Sequence, residues 1–158
     1  MCKVTKFNKM DNFKKPDYLK YWRVVRYFVK SKYGLTTAEL EMLLFLNSED
    51  IFSREKFEEF EQLMSWSDDR FFKLKKQGWI ELFRPKTSRR KPLYQLSYKT
   101  NRLINSVYKK LNGEEIPTSV VGNKMFAKNV KYTDKVYRKM IKDMNKVIRQ
   151  QRHPSPGL

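Results

Sequence analysis

One cysteine, Cys2, and one histidine, His153, are all that the 158-residue chain holds of the side chains most used for metal binding and nucleophilic attack. A single thiol cannot close an internal disulfide, and without a histidine pair neither a catalytic triad nor a zinc site of cysteines and histidines can assemble. The five glycines are scattered, so no glycine loop cradles a phosphate. These absences leave no residue set for an enzyme and predict neither cofactor nor metal. The longest apolar run, "MLLFL" at 42–46, is too short to span a bilayer, and the first residues lack an apolar signal core. The expectation is a cytoplasmic protein with no membrane partner. Acidic residues are scarce too.

What the chain has instead is positive charge on a body able to fold. It carries 35 Lys and Arg against 17 Asp and Glu, a net charge of +18, yet 40% of its residues are hydrophobic and 15% aromatic. That is too apolar for a disordered polycation, and a folded, strongly basic body calls for a polyanionic partner. The charge is unevenly placed. Residues 51–70 hold three cations and six acids, whereas 71–113 hold twelve cations and one acid. Such concentration favours a docking face over general solubility.

Periodicity divides the chain. Residues 1–16 form a polar, basic arm. From Asp17 a helix is predicted, with Tyr18, Tyr21, Trp22, Val25, Phe28 and Val29 at three- and four-residue steps and Gly34 as its stop. Thr36 and Glu39 fit a capping box opening a second helix, whose buried side is Leu40, Leu43, Leu44 and Leu46. Ser53 caps a third, with Phe57, Phe60, Leu63 and Met64 inward. Its Glu55, Glu58, Glu59 and Glu61 read as a solvated face rather than a nuclease metal site. Ser67 caps a fourth, with Phe71 and Leu74 inward, Asp68 and Asp69 in its first turn and Gly78 at its end. The period then shortens to two: "WIELF" and "LYQLSY" read as strands. Ser97 caps a fifth helix with Leu103, Ile104, Val107, Tyr108 and Leu111 on one side. Residues 113–130 read as a linker, and 131–158 as a basic helix and tail with a stripe of Val136, Met140, Met144 and Val147.

Between the strands lies "RPKTSRRKP", where Arg84, Lys86, Arg89, Arg90 and Lys91 crowd together at a hairpin tip. Charge of this kind can guard a sheet edge against aggregation, a task lysines alone would perform. Paired arginines suit phosphate or a narrow minor groove better, and phosphates would relieve the mutual repulsion.

Three helices followed by a hairpin is the winged helix-turn-helix order. The stretches "LTTAELEMLLFL", "LKKQGWIELF" and "SRRKPLYQLSYKTNRLINSVYKKL" together resemble the MarR-type transcriptional regulators over residues 17–112. Leu74 and Gly78 match the end of that family's recognition helix and Trp79–Ile80 its apolar pair. Arg90 matches the wing arginine, and Leu96–Ser97 the Leu-Thr that opens the next helix. Ser88 stands where the family carries the wing aspartate, and Thr100 where it carries a glycine.

The resemblance implies a mainly α protein with a small β-hairpin, its N- and C-terminal helices forming a dimerisation region. The expected partner is double-stranded DNA, bound by a homodimer; a small-molecule effector is allowed by the family but not indicated by these residues. Ser67, Arg70, Lys73 and Lys76 on the fourth helix would face the major groove, and Arg84, Lys86, Arg89, Arg90 and Lys91 on the wing would meet the backbone. The alternative is a winged-helix protein of a nucleoprotein or viral particle that binds nucleic acid without sequence-specific regulation.

Overall fold

A computed structural model describes residues 18–64 and 68–153 of the chain. It is mainly helical with one small antiparallel sheet: α1 (Tyr18–Tyr33), α2 (Thr37–Asn47), β1 (Ile51–Phe52), α3 (Arg54–Met64), α4 (Asp68–Lys76), β2 (Ile80–Arg84), β3 (Leu93–Leu96), α5 (Tyr98–Leu111) and α6 (Tyr132–Arg152), with a single 3-10 turn at Lys124–Phe126. The basic arm, the Ser67 cap and the residues after His153 lie outside the described residues.

Local chemistry sets the helix ends. Gly34 adopts φ +69° and its N–H closes on the Lys30 carbonyl, terminating α1. The α2 capping box forms as expected: the Glu39 N–H donates to the Thr36 hydroxyl at 3.2 Å, and the Thr36 N–H donates to the Glu39 carboxylate at 2.9 Å. The Ser53 hydroxyl accepts from the Lys56 N–H, and Ser97 opens α5 by accepting from the Thr100 N–H.

The sheet has three strands in the order β1-β3-β2, one more than the sequence predicts. Two residues, Ile51 and Phe52, pair with Gln95 and Tyr94; a strand this short has no detectable alternation. On the other side Ile80 faces Leu96 and Leu82 faces Tyr94, and a bulge before Arg84 leaves Phe83 exposed. Tyr94 and Leu96 turn inward. The Phe71 ring meets Phe57 edge-on at 4.8 Å and Tyr94 at 5.0 Å, locking α3, α4 and β3 into one core.

The joint between α4, β2 and α5 is tightly made. Trp79 is buried, and its carbonyl accepts from the Thr100 hydroxyl at 2.6 Å and the Ser97 N–H at 3.1 Å. Thr100, fully buried, thus has a structural task at the position where the resemblance led us to expect glycine.

Several inward assignments shift. Leu63 is 75% exposed at the end of α3, and Tyr108 is half exposed on α5. The segment 113–130 is not a free linker. Ile116 and Met125 are buried, and the buried Asn145 side chain grips the Ile116 backbone from both sides, accepting its N–H at 3.0 Å and donating to its carbonyl at 2.9 Å. Arg138 donates to the carbonyls of Met125 and Ala127. The buried side of α6 is Ile141, Met144 and Ile148, with Val136 and Met140 partly exposed. Tyr137 and Ile141 are as periodic as Val136 and Met140, so spacing could not choose between the two stripes. α6 folds back on α1 of its own chain: Tyr27 stacks on Tyr137 with centroids 3.8 Å apart and donates to Asp134 at 2.6 Å. α1 and α6 therefore pack on one another within one chain, with Val136 and Met140 of the predicted stripe left exposed.

Candidate nucleic-acid interface

Two basic elements are neighbours because α4 packs against β2. On α4, burial of Phe71 and Leu74 turns Phe72, Lys73, Lys75 and Lys76 outward and leaves Arg70 half-buried. At 3.6 residues per turn this division follows once the two apolar positions are fixed.

The exposed cations are not equivalent. Lys73 bends back to α2 and holds the buried Glu39 carboxylate at 2.8 Å. Burial pushes that carboxyl up, but hydrogen bonds from Lys73 and from Thr36 outweigh it and hold Glu39 below the ordinary glutamate range. Lys75 lies over the Tyr94 ring at 5.3 Å. Phe72 is 53% exposed and sits beneath the Arg54 guanidinium at 4.8 Å. Lys76 meets no partner among the described residues.

At the hairpin tip the Thr87 N–H donates to the Arg90 carbonyl at 3.0 Å, and the Arg90 N–H returns a bond to the Thr87 hydroxyl at 3.1 Å. This closes the turn and points Arg89 and Arg90 into solvent. Arg84 is used differently: its Nη2 donates to the Lys91 carbonyl at 3.1 Å across the hairpin, while its Nε is buried with no hydrogen-bond partner among the described residues. Lys91 pairs with Glu55 at the start of α3, and that hydrogen bond pulls the Glu55 carboxyl down and the Lys91 ammonium up. Both side chains are largely exposed.

Of the residues the sequence nominates, Lys76, Lys86, Arg89 and Arg90 stand exposed and uncommitted. Lys73, Arg84 and Lys91 are tied to Glu39, the opposite strand and Glu55, and Ser67 lies outside the described residues. Sequence reading missed Arg54, Lys75 and Lys99. The Lys99 ammonium lies 3.8 Å over the Trp79 ring and donates to the Gln77 carbonyl, capping the end of α4. Its partners are about twenty residues away, beyond the reach of any local pattern.

Shallow concavities occur elsewhere: about 310 Å³ beside Asn47, Asp50 and Gln95, and about 320 Å³ beside Tyr27, Lys30 and Asp134. Among the described residues, no three His, Cys, Asp or Glu side chains converge as a metal site would require, and no helix is long and apolar enough to cross a membrane. Compared with family models, with curated proteins and with solved structures, the chain finds no match in any of the three.

Proposed function

We propose that the protein is a non-enzymatic, double-stranded DNA-binding transcriptional regulator of the winged helix-turn-helix type, similar to the MarR-type regulators. In this reading α4 enters the major groove and the tip 85–92 is a wing on the phosphate backbone. The order helix, short strand, two helices and hairpin supports it. The observation that carries it is the closed hairpin tip holding Arg89 and Arg90 in solvent, on a hairpin whose β2 packs against the basic helix α4. As a homodimer the protein would address two half-sites about one helical turn, roughly 34–36 Å, apart.

The test is the salt dependence of duplex binding. Arg89→Ala with Arg90→Ala should weaken binding to every duplex and flatten the salt slope by roughly 0.9 per lost phosphate contact. Lys76→Ala should be read by selection from random duplexes, where loss of a base contact changes the preferred sequence. A folded double variant with unchanged affinity and slope would make the tip an edge guard and end the reading.

The packing of α1 on α6 within one chain favours a second reading. Met144 of the α6 stripe is buried within the chain while Val136 and Met140 stay exposed, and the covered part needs no second copy, as in a monomeric, sequence-indifferent protein of a nucleoprotein or viral particle. Sedimentation at tens of micromolar (on the order of common self-affinities) and the presence or absence of paired half-sites separate the two.

A further inference from the structure

Five cations on α6 share one face: Lys135, Lys139, Lys142, Lys146 and Arg149 follow one another at steps of four, three, four and three. At 3.6 residues per turn they occupy a sector of roughly 80° and a length of about 21 Å. All five are exposed, and the buried side of the helix lies well around from them. Arg149 bonds to Glu115 at 2.5 Å and Lys142 lies 5.9 Å from the Phe126 ring centroid, while Lys135, Lys139 and Lys146 meet no partner among the described residues.

Helix stability does not explain this arrangement. Like charges three and four residues apart repel, and cations near the N-terminus oppose the helix dipole. α6 has Lys131 at its N-cap position, with no side-chain cap bond, and Lys135 a turn later. α3 shows the contrasting, self-neutralising pattern, with Arg54 paired to Glu58 and Lys56 to Glu59. No acid interrupts the α6 stripe; Asp143 lies to one side of it, and Asp134 is engaged by Tyr27.

We infer that the α6 stripe is a second phosphate-binding face, which lets one chain hold a second segment of duplex DNA. α6 packs on α1 and the 124–126 turn, whereas α4 packs on β2, so the two basic surfaces are carried by elements with different packing partners. Over about 21 Å a duplex presents about a dozen phosphate charges, enough to match every cation of the stripe. The inference shares the nucleic-acid premise of the proposed function but not its residues, so each can fail alone.

The experiment compares the full chain, the fourfold variant Lys135→Gln, Lys139→Gln, Lys142→Gln, Lys146→Gln, the matching fourfold Lys→Arg variant, and Arg89→Ala with Arg90→Ala. The readouts are energy transfer between two differently labelled duplexes and the salt slope of binding, with circular dichroism confirming the fold. The Gln variant should lose the duplex-to-duplex signal and flatten the overall slope by roughly three to four units, and the Arg variant should keep both. Loss of the signal in the Gln variant, with the tip variant still binding at full affinity, would sustain α6 as a DNA face and overturn the wing reading. A folded Gln variant that keeps signal and slope overturns the inference. So does a full chain whose α6-dependent binding is seen only with phosphatidylserine vesicles and not with duplexes.

Discussion

The Lys73 ammonium lies 2.8 Å from Oε1 of Glu39, a carboxylate only 2% exposed and 34 residues earlier in the chain. Its other oxygen accepts the Thr36 N–H. One side chain thus caps α2 and fastens α4 to it, which fixes the orientation of the basic face.

Removing the lysine leaves a buried carboxylate with only its capping partner. Lys73→Ala should therefore cost about 1–2 kcal/mol, less than a fully buried pair because the ammonium is half exposed. The Glu39 carboxyl is depressed in the folded state, so its contribution is present above the ordinary glutamate pKa of about 4.3 and lost as pH falls through the lower folded value. Denaturant titrations across the acid range should show a steeper fall for the native protein than for Glu39→Gln. Equal slopes would mean that the carboxylate is not held as described.

Gly78 tests the α4–β2 corner. Its φ is +79°, and an added Cβ would meet nothing within 4 Å, so substitution there strains the backbone without a clash. Gly78→Ala should cost about 1–2 kcal/mol, and Gly78→Asn less, because asparagine tolerates the left-handed region. Valine should be worst. Thermal or denaturant unfolding checks the ranking, and an alanine variant as stable as the native protein contradicts the geometry.

Tyr27 reports on the α1–α6 contact. Burial, then the hydrogen bond to Asp134, then the charges of Asp134 and Tyr137 push its phenol up to about 12. The protonated form is the one the fold prefers. Its contribution is complete below the ordinary tyrosine pKa of about 10 and is lost as pH rises toward 12. Following the phenolate absorbance, Tyr27→Phe should remove one component titrating near 12, and Asp134→Asn should move that component downward. Loss of a component near the ordinary value instead would show that the phenol is not bonded.

Helix ends were legible in the sequence because their signals are local. Thr36 with Glu39, Ser53, Ser97, Gly34 and Gly78 each act within a few residues, and the structure places them at the expected ends. What escaped depends on distant partners. β1 exists because β3 offers it an edge more than forty residues later, and 113–130 is ordered because Asn145 and Arg138 reach back to it. The choice of stripe on α6 was settled by what it packs on, α1 and the 124–126 turn, not by α6 itself. The same division runs through the candidate interface: exposure of Arg89 and Arg90 follows from a hairpin tip, whereas the commitments of Lys73 and Lys91 lie with acids in other helices.

Asn145 treats the Ile116 backbone as a neighbouring strand would, offering one acceptor and one donor to the two main-chain groups of one residue. Between the two run Val120 and Val121, Val121 fully exposed, on a turn closed by the Asn123 N–H on the Ser119 carbonyl. A protease that cuts between these valines should therefore leave α6 held to the rest of the fold by the Asn145–Ile116 bonds, and the two fragments should co-elute on size exclusion; their separation would show that the joint does not suffice.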